Sequence, residues 1–369
     1  MCRVEYNNSM RDIYNTYFPT PNFLSMPACA LDISDGSIKY AEVVPFIGGF
    51  KLKYYGQEKI TSGTVVSGKI ENEAKLVEIL TNLKNTTKMK FVRVSLPEEQ
   101  MYLFNLVLPN APDVQMKETI LLQLEDHIPL SASDVVFDYE IIREIDKDTV
   151  LVQIAAISGS LIESYMSVFS QAGLTPLSFE LEAQATARSV VPEDINGSVM
   201  IIDFGMTRIG ISIVEKGRVL FTSTFSMGGQ KITEVIAKHF NISINQAESM
   251  KKSYSNLGSD AENDIFPAII TNLSILLDEI RKHFSYWHTH ASEDGQPHAK
   301  IERIILCGGE ANLYGVVPYL KTSMGIPVDH ANVWVNMKDI EKDLPSIPFD
   351  ESLSYATVFG LALGGFIKE

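Results

Sequence analysis

The fold of this chain is indicated by the stretch Ile201-Ile202-Asp203-Phe204-Gly205-Met206-Thr207-Arg208-Ile209-Gly210-Ile211-Ser212-Ile213. An apolar strand runs up to Asp203, a turn follows at Gly205, and a second strand continues into Val214. Main-chain N–H groups in so tight a turn form an anion-binding nest, and the carboxylate can hold a hydrated Mg²⁺ ion. The stretch therefore predicts a phosphate-binding hairpin, although an ordinary core hairpin has the same pattern.

The same stretch contains Asp203-Phe204-Gly205, which is also the spelling of the metal-binding motif of protein kinases. In kinases that motif follows a His-Arg-Asp catalytic loop and a glycine-rich loop. Neither loop occurs in this sequence. The kinase interpretation is therefore excluded.

Two further stretches also contain a strand that ends in a turn suited to binding a nucleotide. Residues 30–43 again read as a strand, an acidic turn around Asp32 and a second strand. Residues 304–311 read as a buried strand that runs into Gly308-Gly309 at the start of a helix, where a nucleotide can approach the backbone closely. Three such turns in this order predict two related halves that face one nucleotide.

Composition narrows the class of protein. The formal net charge of −15 argues against nonspecific binding to nucleic acid. The three cysteines (Cys2, Cys29 and Cys307) are too scattered for a disulfide framework and fit a reducing compartment. No apolar run approaches the roughly 20 residues of a membrane helix, and Glu5 and Arg11 interrupt the N-terminus, unlike in a signal peptide. We therefore expect a soluble intracellular protein.

Two other patterns resemble binding motifs but have a simpler explanation. Residues 63–69 nearly match a phosphate-binding P-loop, but Ile70 stands where a Ser or Thr must reach Mg²⁺, so we predict a loop that leads into a helix. Four histidines occur close together in the sequence: His283, His288, His290 and His298. They lack the spacing of helix ligands, and the last three are predicted to lie in a solvated loop rather than at a metal.

The alternation of strand and helix patterns predicts a division of the chain. It comprises an N-terminal arm (1–28), a first lobe (29–96, with 173–195 and a C-terminal helix 356–369), an inserted strand–helix–strand–strand domain (97–172) and a second lobe (196–355, with a helical subdomain at about 228–299). We expect the insert to serve as an interaction module.

In this order the pieces resemble the actin-like ATPases, and most closely the family of the type IV pilus assembly protein PilM. The resemblance implies an α/β, two-lobed, ribonuclease H-like fold and covers nearly everything from residue 28 to 369. The motifs that carry it are Ala30-Leu31-Asp32-Ile33 with Ser37-Ile38-Lys39, Ile202-Asp203-Phe204-Gly205, Met227-Gly228-Gly229 with Thr233, Ala247-Glu248 with Lys251, Leu306-Cys307-Gly308-Gly309, Gly325-Ile326-Pro327-Val328 and Phe359-Gly360-Leu361-Ala362-Leu363.

The cell-division protein FtsA is the close alternative, because it is similar in having a small domain inserted into the first lobe. FtsA-like chains carry an amphipathic membrane helix after the last core helix. Here the sequence ends at Phe366-Ile367-Lys368-Glu369, which favours the pilus family. A small-molecule kinase of the same fold is a third alternative, but no convincing set of substrate-binding residues is visible in the first lobe.

The resemblance implies roles for individual residues. Asp32 and Asp203 would lie on opposite sides of the cleft around a hydrated Mg²⁺, and Glu182 would orient the attacking water unless it is simply an acid at a helix N-terminus. The residues expected to bind ATP are Ser34, Asp35, Gly36, Ser37 and Lys39 in the first phosphate loop, Gly205, Met206 and Thr207 in the second, Gly228 and Gly229 after it, Gly308, Gly309 and Glu310 beside the adenosine, and Lys251 near the base or ribose.

Three positions depart from the family pattern. Ser34 stands where the first phosphate loop usually has Gly, and Glu310 replaces a usual small residue. Asp35 adds a negative charge near the phosphates, which could cost ~1–4 kcal/mol depending on where its side chain points. We therefore expect ATP to be bound and hydrolysed slowly at most.

The resemblance also implies a function and a partner. We expect an ATP-binding assembly platform of a type IV pilus or type II secretion-like machine, in the cytoplasm. Its first lobe would hold the N-terminal cytoplasmic peptide of an inner-membrane PilN-like protein, which recruits it to the membrane without direct insertion. Other pilus assembly proteins or a second copy of the chain are further candidate partners, and nucleic acid is not. An FtsA-like filament-forming protein is the alternative.

Overall fold

The computed structural model describes residues 28–46, 49–195, 197–257, 265–337 and 347–366. Apart from Ala28, the predicted N-terminal arm lies outside the described residues. The strands are β1 (Ala28–Ile33), β2 (Ser37–Phe46), β3 (Gly49–Lys59), β4 (Val65–Val66), β5 (Lys69–Ile70), β6 (Phe91–Leu96), β7 (Met101–Pro109), β8 (Val135–Glu144), β9 (Thr149–Ser158), β10 (Thr175–Leu181), β11 (Ser198–Phe204), β12 (Ile209–Glu215), β13 (Arg218–Phe225), β14 (Ile301–Cys307) and β15 (Val328–His330).

The helices connect these strands and cover the sheets. They are α1 (Glu73–Thr87), α2 (Asp113–His127), α3 (Gly159–Gln171), α4 (Glu182–Val190), α5 (Gly229–Phe240), α6 (Ile244–Leu257), α7 (Phe266–Thr289), α8 (Val316–Met324), α9 (Phe349–Ser352) and α10 (Ala356–Gly364), and a 3₁₀ turn spans Glu98–Gln100. Within the described ranges, no helix is both long enough and apolar enough to cross a membrane.

The two large sheets have the same topology. In the first, the strand order is β10-β6-β1-β2-β3, and in the second it is β15-β14-β11-β12-β13. In each sheet the central strand, β1 or β11, pairs antiparallel with the strand that follows it and parallel with β6 or β14. The predicted pair of related halves is therefore present. Because the turns after β1 and β11 occupy equivalent places, each half supplies one turn to the same region.

Helix α1 illustrates how local sequence sets an element of the first lobe. The Asn72 side chain accepts a hydrogen bond from the Lys75 N–H and caps the helix start. Leu76, Leu80 and Leu83 recur at helical spacing and are buried in the core of the first sheet. Lys88 ends the helix in the left-handed conformation. The P-loop-like stretch before α1 is the tight hairpin β4–β5, with positive φ angles at Ser67 and Gly68.

The insert is a three-stranded antiparallel sheet, β7-β9-β8, with α2 on one face and a core of its own. Helix α3, which the predicted division assigns to the insert, instead places Leu161, Tyr165, Val168 and Phe169 in the core of the first sheet. We therefore propose that the insert spans 101–158 rather than 97–172. The apolar face of α3 explains the difference, because a helix goes where that face is buried.

The lobes meet through α4 and α10. Helix α10 packs on β1 and β2 of the first sheet, whereas α4 lies against β12 and β13 of the second. The two helices approach so closely that a Cβ at Gly360 would collide with the Ala185 carbonyl. Hydroxyl groups also join them, because the Ser189 Oγ donates to the Ala356 carbonyl at 2.7 Å. One buried core thus continues from the first lobe into the second.

Candidate nucleotide site

The two predicted phosphate turns face each other across the cleft. A Cβ built at Gly36, in the turn after β1, would lie 2.5 Å from the Met206 Cε in the turn after β11. Glycine at position 36 therefore leaves room for the opposite turn. The structure brings together the two hairpin tips that the sequence singles out.

Asp32 and Asp203 lie at equivalent places, near the ends of β1 and β11. Asp32 is buried, and its Oδ1 accepts a hydrogen bond from the Ser95 Oγ at 2.7 Å. Burial raises the pKa of Asp203, whereas the positive charges of Lys39 and Arg208 lower it and the charge of Asp32 raises it. The two carboxylates thus share one electrostatic environment with Lys39, which pairs with Asp32 in the β1–β2 register.

The turn after β14 lies directly against Asp203. Gly308 has a φ of +92°, and a Cβ there would collide with the Asp203 carboxylate and the Phe204 carbonyl. The Glu310 N–H donates to the Phe204 carbonyl at 3.0 Å, which joins this turn to the second phosphate hairpin. Only glycine fits at position 308, because both the conformation and the space require it. The turn after β14 therefore lies against the second phosphate hairpin, and the expected contact of Gly308, Gly309 and Glu310 with the adenosine stays a prediction.

The start of α5 supports the second hairpin. The Gly229 N–H donates to the Gly205 carbonyl at 3.0 Å, and the Gln230 N–H donates to the Met206 carbonyl at 2.8 Å. A Cβ at Gly228 would collide with that Met206 carbonyl. Gly228 and Gly229 therefore brace Gly205 and Met206, and the N–H of Gly229 is already in use.

The first phosphate turn is closed by its own side chains. The Ser34 N–H and Oγ both donate to the Ser37 carbonyl, at 2.9 and 3.1 Å. The Asp35 Oδ1 accepts a hydrogen bond from the Gly68 N–H in the β4–β5 turn, at 3.3 Å. The Asp35 carboxylate is therefore directed toward the β4–β5 hairpin, which lessens the expected repulsion of phosphate.

Lys251 is buried in a compact cluster of polar groups. Its Nζ contacts the Glu310 Oε1 and the Glu248 Oε2 at 3.0 Å each, and donates to the Gly229 carbonyl at 3.2 Å. All three ammonium hydrogens thus have an acceptor. Lys251 therefore holds Glu310 against the start of α5, and its approach to a base or ribose stays a prediction. Burial raises the pKa of Glu310, and Lys251 opposes that shift.

Glu182 begins α4 beside the cleft, but its carboxylate is occupied. The Arg208 Nη2 donates to both Glu182 oxygens at 2.8 Å, and the Arg208 Nη1 lies 2.9 Å from the Glu99 Oε1. Burial raises the pKa of Glu182 to about 8; Arg208 opposes this shift, and the charges of Asp32 and Glu99 add to it. Orientation of an attacking water by Glu182 would require Arg208 to release an oxygen.

Glu98 lies near Glu182 and Asp203, and it is a buried acid that the sequence analysis did not predict. Its Oε2 lies 3.3 Å from the position that a Cβ at Gly210 would occupy, so Gly210 leaves room for it in β12. Its Oε1 has no hydrogen-bond partner among the described residues, and burial raises the pKa of Glu98 well above the usual range. The available signal was a pair of acids immediately after the buried strand β6, and an arginine in an otherwise apolar hairpin.

The histidines serve structural roles. His288 lies in the last turn of α7, not in the predicted loop, and His298 stacks on Trp287 with 3.7 Å between ring centroids. Among the described residues, no three His, Cys, Asp or Glu side chains are grouped to hold a metal ion directly. Asp32 and Asp203 nevertheless fit a hydrated Mg²⁺, whose remaining ligands are waters and phosphate oxygens.

Comparison with known proteins identifies the family. The model of the family described as type IV pilus assembly protein PilM matches residues 30–366. The chain belongs to the PilM family. The predicted resemblance is thereby confirmed, and the FtsA-like alternative is not favoured.

Solved structures confirm the actin-like fold. The PilM–PilN type IV pilus biogenesis complex matches with a TM-score of 0.77 at 21% identity, over 93% of this chain and 99% of that chain. The ethanolamine utilization protein EutJ from Carboxydothermus hydrogenoformans matches with a TM-score of 0.55 at 15% identity, over 97% and 99%. MreB5 of Spiroplasma citri bound to ADP matches with a TM-score of 0.54 at 13% identity, over 90% and 94%.

Proposed function

We propose that this member of the PilM family is an ATP-binding assembly platform of a type IV pilus or a type II secretion-like machine. The observation that carries the proposal is the placement of Asp32 and Asp203 near the ends of two equivalent strands, with the Gly36 and Met206 turns facing each other between them. This is where a two-lobed fold with a duplicated sheet can hold one phosphate chain from both sides.

The residues of the cleft suit Mg²⁺-ATP. Asp32 and Asp203 would hold the hydrated metal ion, and Lys39 would offset phosphate charge at the first turn. A structural relative, MreB5 of Spiroplasma citri, is bound to ADP. Bound Mg²⁺ would neutralise charge on the phosphates, while the main-chain N–H groups of the turns orient them.

Hydrolysis should be slow, because Glu182 is held by both oxygens. A carboxylate that already accepts two hydrogen bonds from one buried guanidinium is poorly placed to orient water. The reason differs from the sequence-based one, which rested on the Asp35 charge. Since Asp35 bonds to Gly68, the restraint on Glu182 is the stronger argument.

The partner that we propose is the cytoplasmic N-terminal peptide of an inner-membrane PilN-like protein. The support is family membership and the structural match to a PilM–PilN complex. Such a peptide, held on the first lobe beside the insert, would recruit a cytoplasmic protein to the membrane. ATP would act by changing the relative positions of the lobes and so the binding surface.

Titration calorimetry tests the nucleotide site, and flotation tests the partner. Wild-type protein should bind Mg²⁺-ATP, and Asp203→Asn should bind it at least tenfold more weakly because a metal-orienting charge is lost. Equal affinity in both proteins would remove Asp203 from the site.

Purified protein should float with liposomes only when they contain the PilN-like protein. Equal flotation on bare liposomes would contradict recruitment through that partner.

A further inference from the structure

The insert is covalently connected to the first lobe, but it also makes polar contacts with the second lobe. The Arg143 Nε on β8 donates to the Asp294 Oδ2 at 2.7 Å, and the Asp294 side chain is only 1% exposed. In the opposite direction, the Arg218 Nε on β13 donates to the Glu140 Oε1 at 2.8 Å. Between them, the Gln153 Nε2 donates to the Val219 carbonyl at 2.8 Å. We call these three contacts the clamp.

The three contacts of the clamp are polar. The insert has its own apolar core between α2 and its sheet, and its first strand β7 also packs the partly buried Met101 and Leu103 against the core that continues into the second lobe. A cavity of about 90 Å³ remains between the two parts, lined by residues that include Leu151 and Leu220. Polar, incompletely packed contacts between parts of one chain resemble transient interfaces, which permit relative motion.

A second attachment of the insert lies beside the nucleotide site. The 3₁₀ turn that leads into the insert holds Arg208 through Glu99, at 2.9 Å. Arg208 belongs to the turn between β11 and β12, the same turn that contains Gly205 and Met206. The phosphate hairpin is therefore connected to the entrance of the insert through one salt bridge.

We propose that nucleotide binding loosens the insert from the second lobe, by drawing Arg208 away from Glu99 and thereby weakening the clamp. A polyphosphate near Asp203 attracts the arginine, which keeps both hydrogen bonds to Glu182, and repels the Glu99 carboxylate. The inference rests on the proposed nucleotide site. It adds a regulated movement of the insert, which then exposes the cavity-lining surface only in the nucleotide-bound protein.

Hydrogen exchange of the full chain, followed by mass spectrometry, tests the clamp. The double variant Arg143→Gln/Arg218→Gln removes both arginines, and Asp294→Asn weakens the same interface from the other side. In the absence of nucleotide, exchange in β8 and in residues 215–221 should become about tenfold faster than in wild type. The matched control is Lys75→Gln, which breaks the exposed Lys75–Glu78 pair on α1 and should leave both segments unchanged.

Addition of Mg²⁺-ATP tests the coupling. In wild type it should accelerate exchange in the same two segments, and in the double variant it should add little. Unchanged exchange in the variants would overturn the clamp. Unchanged exchange in wild type that binds ATP by calorimetry would overturn the coupling. A protein that binds no nucleotide would overturn both the coupling and the proposed function, while the nucleotide-free comparison would still decide whether the clamp exists.

Discussion

The Arg208–Glu182 pair gives the sharpest test of how the lobes are held together. Both side chains are largely buried, at 16% and 12% exposure, and the arginine also faces Glu99. Arg208→Met would leave those carboxylates without their counter-charge. Breaking a buried pair from one side costs about 3–5 kcal/mol. For a chain of this size that corresponds to a lowering of the melting temperature by roughly 4–6 °C.

A double-mutant cycle separates this pair from general damage. Glu182→Gln removes the charge that Arg208 neutralises, so the double variant Arg208→Met/Glu182→Gln should lose less stability than the two single variants added together. The expected coupling is about 1–3 kcal/mol. Lys231→Gln is the control, because the Lys231–Glu234 pair is 60% and 40% exposed and should contribute little.

Thermal unfolding, with urea unfolding as a second measure, supplies the free energies of unfolding for the four proteins of the cycle. Strict additivity, with the loss in the double variant equal to the sum of the single losses, would show that Arg208 and Glu182 do not depend on each other. A loss of less than about 1 kcal/mol in Arg208→Met would refute the view that this arginine neutralises a buried acidic group.

Three further predictions concern pH and the cleft. Because burial raises the pKa of Glu98 well above its usual 4.5, the folded protein binds a proton there that the unfolded chain releases, so stability should fall as pH rises from about 4.5 towards the raised pKa, and less steeply in Glu98→Gln; an unchanged slope in that variant would contradict the prediction. Gly308→Ala should cost about 1–3 kcal/mol of stability and abolish calorimetric ATP binding, which full retention of binding would disprove. Asp35→Asn should leave ATP affinity within about threefold of wild type, and a large gain would show that Asp35 faces the phosphates.

The sequence predicts the fold well where periodicity and strand ends determine it. Apolar strands that stop at Asp32 and Asp203 indicate both hairpins, and the shared strand–turn–strand pattern indicates two related halves. Dihedral angles are harder to predict: helix α8 begins at Val316, because Gly315 has a φ of +90° that a helix does not accept. The sequence pattern contains no information on that dihedral angle.

The polar contacts of the site were less predictable, because they join residues far apart in the chain. Arg208 and Glu99 are distant in the sequence and are brought together only by the tertiary fold. Lys251 turns to Glu310 because burial favours neutralising an acid there, which spacing alone does not reveal. The direction of the Asp35 side chain depends on its hydrogen bond with Gly68. The P-loop-like sequence around Gly68 does not indicate the left-handed turn that this residue forms.

The contact of α4 with α10 limits how the molecule can change shape. At this contact the backbone of Gly360 lies against the Ala185 carbonyl, with no space at Gly360 even for a methyl group. Sliding of one helix along the other would drive side chains into that contact, whereas a small rotation about it keeps the distance constant. The contact of α4 with α10 at the floor of the cleft therefore acts as a pivot. The two hairpin tips lie away from this pivot, one on each lobe. A turn of a few degrees at the pivot becomes a larger displacement where Gly36 faces Met206.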